Sequence, residues 1–250
     1  MNLLAFELAT EACSVAVWVD GEVRERFELA PRRHAELSLP WAEQLLAEAG
    51  IARTQLDAIA VGRGPGAFTG VRLAIAIGQG IALALDRPIV PVSTLAALAM
   101  RAAASPRGPA SPGRGGAPAA ANLHVLAAID ARMDEVYAGR FEVRDGDALA
   151  LGDEIVVPPD AVALLDDGFD WHGVGSGFGA VGGLLGRRLA PALGGFDADA
   201  LPHAADVARL AAAAFARGEA IAAEFVEPAY LRNNVALTTA EQQSLRDSRP

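Results

Sequence analysis

The sequence predicts an α/β protein built in two lobes, and three observations carry that prediction. Leu3–Ala9, Cys13–Val19 and Glu22–Leu29 are apolar or alternating runs, and the Asp20-Gly21 turn between the last two is a strong hairpin signal, so the chain opens with three antiparallel strands. Helical and strand-like segments then alternate as far as Ala104, giving the order βββαβαβα. Finally, Ser105–Ala121 contains four prolines and four glycines, a composition that holds neither helix nor strand and marks a boundary between lobes.

Each element has a local reason. Ala35–Ala49 places Leu37, Trp41, Leu45 and Leu46 at helical spacing and stops at Gly50, a good C-cap. Asp57–Val61 is a short apolar strand, followed by a Gly-Pro-Gly turn and a helix over 70–85. Ile89–Val92 is another strand, after which Ser93-Thr94 can cap a helix through Ala104. Beyond the boundary, Leu123–Ile129 and Glu135–Val143 read as a hairpin and Ile155–Val157 as a short strand. Asp160–Asp166 reads as a helix, and Trp171–Val174 as a strand leading into the glycine-rich Gly175–Gly183 and a helix to about Leu189. His203–Arg217 is amphipathic and ends at Gly218, and the tail 233–250 reads as irregular. The expected division is therefore lobe I over 1–104, a linker over 105–121, and lobe II over 122–232. The helix at 203–217 is left free to pack in either lobe.

Composition narrows the function. A net charge of −10 makes the chain a poor binder of nucleic acid by itself, so any RNA contact is expected through a partner. All 21 basic residues are arginine, which removes a Walker lysine and Schiff-base chemistry. Cys13 is the single cysteine and lies in an alternating apolar run, where core packing is the expected role and a reducing compartment fits. The N-terminal run meets Glu7 too early for a secretory signal. The helix at 70–85 is short for a span and carries Arg72 and Gln79, so no membrane is expected.

That helix is apolar almost all the way round, so every side must be covered, by its own lobe or by a partner. Gly70, Ala74, Gly78 and Ala82 recur four apart, a row that lets another helix approach closely. Gly62–Gly70, with Gly64 and Gly66 at its centre, sits between a strand and a helix N-terminus. It serves either tight packing or an anion. Gly177-x-Gly179-x-x-Gly182 matches a dinucleotide fingerprint as a string, but no following parallel strand is evident, and so dense a glycine region matches such a string easily by chance. The four histidines are unpaired in spacing, so no zinc or iron site is expected.

Gly62-Arg-Gly-Pro-Gly-Ala-Phe-Thr-Gly-Val-Arg72 resembles a signature of the TsaB (YeaZ) family, bacterial subunits of the tRNA threonylcarbamoyladenosine machinery. Thr10–Ala16, His34–Glu36, Pro91–Leu95, Ile129–Arg132, Glu135–Tyr137 and Glu227–Arg232 resemble further family strings in the family's order. The resemblance implies a fold of the actin/Hsp70/sugar-kinase (ASKHA) type, whose repeat unit is the βββαβαβα order. It also implies kinship with TsaD, the subunit that transfers threonylcarbamoyl to adenosine 37. The histidine pair of TsaD falls here on Thr94 and Leu98, and the usual first-strand Asp on Glu7. A non-catalytic subunit is therefore implied, without a resident cofactor and with a subunit interface left open for ATP or ADP. It would bind TsaD, help recruit the ATPase TsaE, touch tRNA only through the complex, form a homodimer in isolation and reside in the cytoplasm. The implied interface is Leu37, Pro40, Trp41, Leu45, Val71, Ala74, Ile75, Gly78 and Ala82. The alternative is a nucleotide-binding enzyme of the same fold.

Overall fold

The computed structural model describes residues 1–104, 122–165 and 168–232, so the expected linker and tail lie outside the described residues. Lobe I contains β1 (Asn2–Glu7), β2 (Ala12–Val19), β3 (Glu22–Leu29), α1 (His34–Ala49), β4 (Ala58–Gly62), α2 (Phe68–Leu85), β5 (Ile89–Val92) and α3 (Thr94–Ala104). Its sheet runs β3-β2-β1-β4-β5, antiparallel across β1–β3 and parallel from β1 through β4 to β5. Lobe II contains β6 (Leu123–Arg132), β7 (Glu135–Arg144), β8 (Asp147–Ala150), β9 (Ile155–Val157), β10 (Trp171–Val174), α4 (Ala180–Leu189), β11 (Leu193–Asp197) and α5 (Ala204–Ala216). Its sheet, β8-β7-β6-β10-β11 with β9 added on β7, repeats the first strand for strand. This is the two-lobed ASKHA-type arrangement.

The layers follow from which faces are apolar. α1 and α2 cover the outer face of sheet I, and α4 covers the outer face of sheet II. Between the sheets lie α3 and α5, exchanged between lobes: α3, from lobe I, packs on sheet II, and α5, from lobe II, packs on sheet I. Both are Ala-rich and buried nearly all round, which lets them fit between two pleated surfaces. Asp206 of α5 is buried between Arg101 of α3 at 3.1 Å and Arg209 at 2.7 Å. Residues 204–230 thus belong with sheet I, and lobe II in packing terms ends near Asp197.

Three segments depart from expectation, the first being β8, a strand that the sequence pattern did not announce. Over 160–165 there is a turn and then extended chain, because Val162 and Leu164 face inward while Ala161, Ala163 and Leu165 face out, a period of two. β11 is also present, parallel to β10, where no strand was evident; its Gly194-Gly195 hides the usual strand composition.

α5 is fastened at its start by lobe I. The Ser14 hydroxyl accepts from Ala204 N (2.8 Å) and donates to Glu25 (2.7 Å), which also accepts from Ala205 N (3.0 Å) and bonds His203 Nδ1 (2.9 Å). A carboxylate is well placed at a helix N-terminus. Burial alone would raise the pKa of Glu25, but the bonds from His203, Ser14 and Ala205 hold it below the ordinary value. Its stabilisation is therefore complete above the unfolded carboxylate range and lost as pH falls below about 4. Glu25→Gln is expected to cost about 1–3 kcal/mol at pH 7 and to flatten the acid limb of stability, read by thermal unfolding between pH 7 and 3.

Candidate functional site

The carboxyl ends of β1, β4 and β5 converge, the place where open α/β sheets hold ligands. Above them lies a cleft of about 1290 Å³ between the lobes, lined by Thr10, Glu11, His34, Arg72, Asp130 and Tyr230 among others. His34 Nε2 lies 3.0 and 3.1 Å from the carbonyls of Thr10 and Ala12, which fixes the floor of the cleft to the start of α1.

Glu7, at the end of β1 where the resemblance sets the usual first-strand Asp, does not line this cleft. It is fully buried, accepting from Ala9 N at 2.8 Å and from the Thr94 hydroxyl at 2.9 Å. Gly62 makes room for it: a Cβ there would stand 2.0 Å from Glu7 Oε2. The side chain thus folds onto its own β1–β2 turn, away from solvent. Burial raises its pKa to about 7 against the bonds from Ala9, Thr94 and Leu8. Thr94 serves Glu7, and Leu98 is core. Among the described residues, no three His, Cys, Asp or Glu side chains gather as a metal site.

Three of the glycines in the two strings stand where a side chain would crowd a neighbour. A Cβ at Gly66 would lie 2.5 Å from Ala9 O, and one at Gly64, where φ is +92°, 3.2 Å from Val71. In lobe II a Cβ at Gly177 would lie 2.7 Å from Ala128. β6 therefore crowds the Cβ side of Gly177, and β10, the glycines and β11 form a parallel crossover. Gly179 meets only Ser176 O at 3.6 Å.

The expected interface needs correction. Val71, Ala74, Ile75, Gly78 and Ala82 face their own sheet, as does Leu45 of α1. A Cβ at Gly78 would be 2.5 Å from Val61 Cγ1, so the row of small residues serves helix-on-sheet contact within the lobe. Leu37 and Trp41 are half-buried and Pro40 is exposed. The outward face of α2 is a different set: Arg72, Ala76, Gly80, Leu83 (65% exposed) and Ala84, flanked by Leu73 and Ile77. By length and apolarity α2 passes as a membrane span, yet one of its faces is packed on sheet I.

Beyond α5 the chain returns across lobe I. Ile221 bridges Ile89 of β5, Gln79 Nε2 donates to Ala223 O (2.8 Å), and Ala229 N donates to Arg63 O (2.8 Å). Arg72 Nε donates to the Tyr230 hydroxyl at 2.8 Å, while its guanidinium lies 3.7 Å over the Phe68 ring. Arg232 donates to Ala131 O and Glu135 in lobe II. None of these partners is legible in local sequence, because the separations exceed 90 residues.

Because Glu7 is harder to ionise folded than unfolded, native protein binds the extra proton between the two values. Stability falls as pH rises through that window, by about 3 kcal/mol from this group. Denaturant titrations at pH 5 and pH 8 are expected to show that slope in the wild type and to lose it in Glu7→Gln.

A family model for TsaD, tRNA N6-adenosine threonylcarbamoyltransferase, matches residues 27–240. The chain is 41% identical over 240 residues to the tRNA threonylcarbamoyladenosine biosynthesis protein TsaB of Escherichia coli (strain K12), covering 94% of this chain and 96% of that protein. It is 45% identical over 84 residues to a tRNA N6-adenosine threonylcarbamoyltransferase of Magnetococcus marinus, covering 32% of this chain and 24% of that one. A solved structure of YeaZ from Pseudomonas aeruginosa superposes with a TM-score of 0.78 at 44% identity, over 92% of this chain and 99% of that one. The chain belongs to the family that the TsaD model describes and, within it, to the tRNA threonylcarbamoyladenosine biosynthesis proteins named TsaB.

Proposed function

We propose that the chain is a non-catalytic subunit of the tRNA threonylcarbamoyladenosine machinery, which docks a TsaD-type transferase on the outer face of α1 and α2. The observation that carries the reading is the contrast between an unused face and a closed centre. Ala76, Gly80, Leu83 and Ala84, with Leu39 and Pro40 of α1, remain uncovered by any described residue. Glu7 meanwhile is sealed under Gly62 and bonded within the chain. Two helices side by side can supply the roughly 800 Å² per partner that a stable interface needs. With a net charge of −10, tRNA is held chiefly by the partner. A TsaE-type ATPase completes the assembly, no resident cofactor is required, and the location that goes with tRNA is the cytoplasm.

The other reading, a nucleotide-dependent enzyme, would use the cleft that Gly66, Thr69 and Ser176 line, although Glu7 beneath it is bonded within the chain. The two are separated by titrating the isolated chain with ATP–Mg²⁺ in a calorimeter, where micromolar binding favours the enzyme.

The docking test uses the outward row. Ala76→Trp is expected to keep the melting temperature and to weaken association with the cognate TsaD-type protein at least 100-fold by light scattering. Gly78→Leu is expected instead to unfold lobe I, since its side chain would enter Val61. Undiminished association of folded Ala76→Trp would remove the face from the account.

A further inference from the structure

A second cavity, of about 300 Å³, lies where the edge strand β3 of sheet I meets the end of β11, the edge strand of sheet II. Strand period puts Val23, Glu25, Phe27 and Leu29 on one face of β3, the face turned to α5. α5 begins over Ser14 and Glu25, so the last two apolar residues of that face outrun its cover. Phe27 stays 37% and Leu29 61% exposed, and both line the cavity. Asp197 at the end of β11, Asp199 in the connection to α5, Arg101 of α3 and His203 line it as well. The volume is at the lower end for ligand cavities and suits a molecule the size of an amino acid.

The polar groups here hold more bonding capacity than the fold uses. Arg101 donates from Nη1 to Asp206 Oδ2 at 3.1 Å. Among the described residues its Nε and Nη2 have no acceptor, and those two nitrogens form the fork that grips a carboxylate by two parallel bonds. Asp197 Oδ1 accepts from Asp199 N at 3.0 Å, while the Asp199 carboxylate has neither ion pair nor hydrogen bond among the described residues. Arg101 pairs with neither aspartate, so the opposite charges are not spent on each other. His203 is fixed twice: its ring stacks on Phe27, with centroids 4.1 Å apart and planes 4° from parallel, and Nδ1 bonds Glu25 at 2.9 Å. Glu25 is held ionised, so Nδ1 donates and the neutral ring keeps Nε2 as an acceptor, without a partner among the described residues.

We infer that this cavity binds a free α-amino acid with an apolar side chain, its carboxylate on the Nε–Nη2 fork of Arg101, its ammonium on Asp199 and His203 Nε2, and its side chain against Phe27 and Leu29. A zwitterion is the ligand class that satisfies both polar sets at once. A plain carboxylate would leave Asp197 and Asp199 facing a like charge, and a plain amine would leave the arginine fork unpaired. A phosphate compound meets the same two aspartates. The apolar part of the lining selects against polar amino acids, because a hydroxyl or amide would be set against Phe27 and Leu29 without a partner. The site does not rest on the docking reading, since none of its residues belongs to α1 or α2.

The test is calorimetric titration of the full chain with L-leucine and with L-valine. At least one is expected to bind with a Kd of about 1 mM or tighter. N-acetyl-L-leucine, which lacks the ammonium, and L-leucinamide, which lacks the carboxylate, are each expected to bind at least about tenfold more weakly. Asp199→Asn is expected to weaken the amino acid at least about tenfold, and Leu29→Trp, which fills the cavity, to abolish its binding. Both positions are exposed, so both variants are expected to melt with the wild type when no ligand is present. The two derivatives need no variant, so they decide the matter even if a substitution harms folding. Absence of binding by both amino acids at about 10 mM overturns the site. So does equal binding of either derivative, or folded variants that bind like wild type.

Discussion

Everything in this fold depends on the layer between the sheets. α3 and α5 are each donated by one lobe and packed on the other, so the two lobes share one hydrophobic core. The buried Asp206, held from both helices, makes that layer specific, because sliding either helix would strand a charge away from water. A molecule built this way has little freedom to open about its cleft. Part of its remaining apolar surface lies outside the sheets, at Leu39 of α1 and Leu83 of α2.

The two faces of α2 show how one helix serves two masters. Gly70, Gly78 and Ala82 let it lie close on β4 and the β1–β2 turn, where a Cβ at Gly70 would be 1.9 Å from Leu8 O. Ala76 and Gly80, offset from that row, are exposed, and a Cβ at Gly80 would meet nothing within 4 Å among the described residues. Small residues on the buried side are explained by the fold, and small residues on the open side are not. Sequence composition by itself cannot separate the two.

That distinction marks how far the sequence could be read. Strand and helix positions in lobe I were legible because each is set by local period and turn chemistry, down to Ile89–Val92 and the hairpin at Asp20-Gly21. The family strings were legible as well, and they led to the family to which the chain belongs. β11 was missed because glycines replaced its β-formers, and the segment at 160–165 misled because Val162 and Leu164 fit either period over so short a run. The side of α2 facing inward could not be read, since a helix apolar all round has no periodic signal to orient it. Nor could the role of Glu7, which is set by the missing side chain of a residue 55 positions away.

The antiparallel bridge between Ile221 and Ile89 has a further consequence. β5 borders sheet I, and a bare border strand recruits other chains. Ile221 pairs with Ile89 at one end of that margin, so a chain shortened after Gly218 would leave that end of the edge unpaired and more ready to stick to its neighbours. The stretch after α5 is thereby a safeguard of solubility as much as a cover for lobe I.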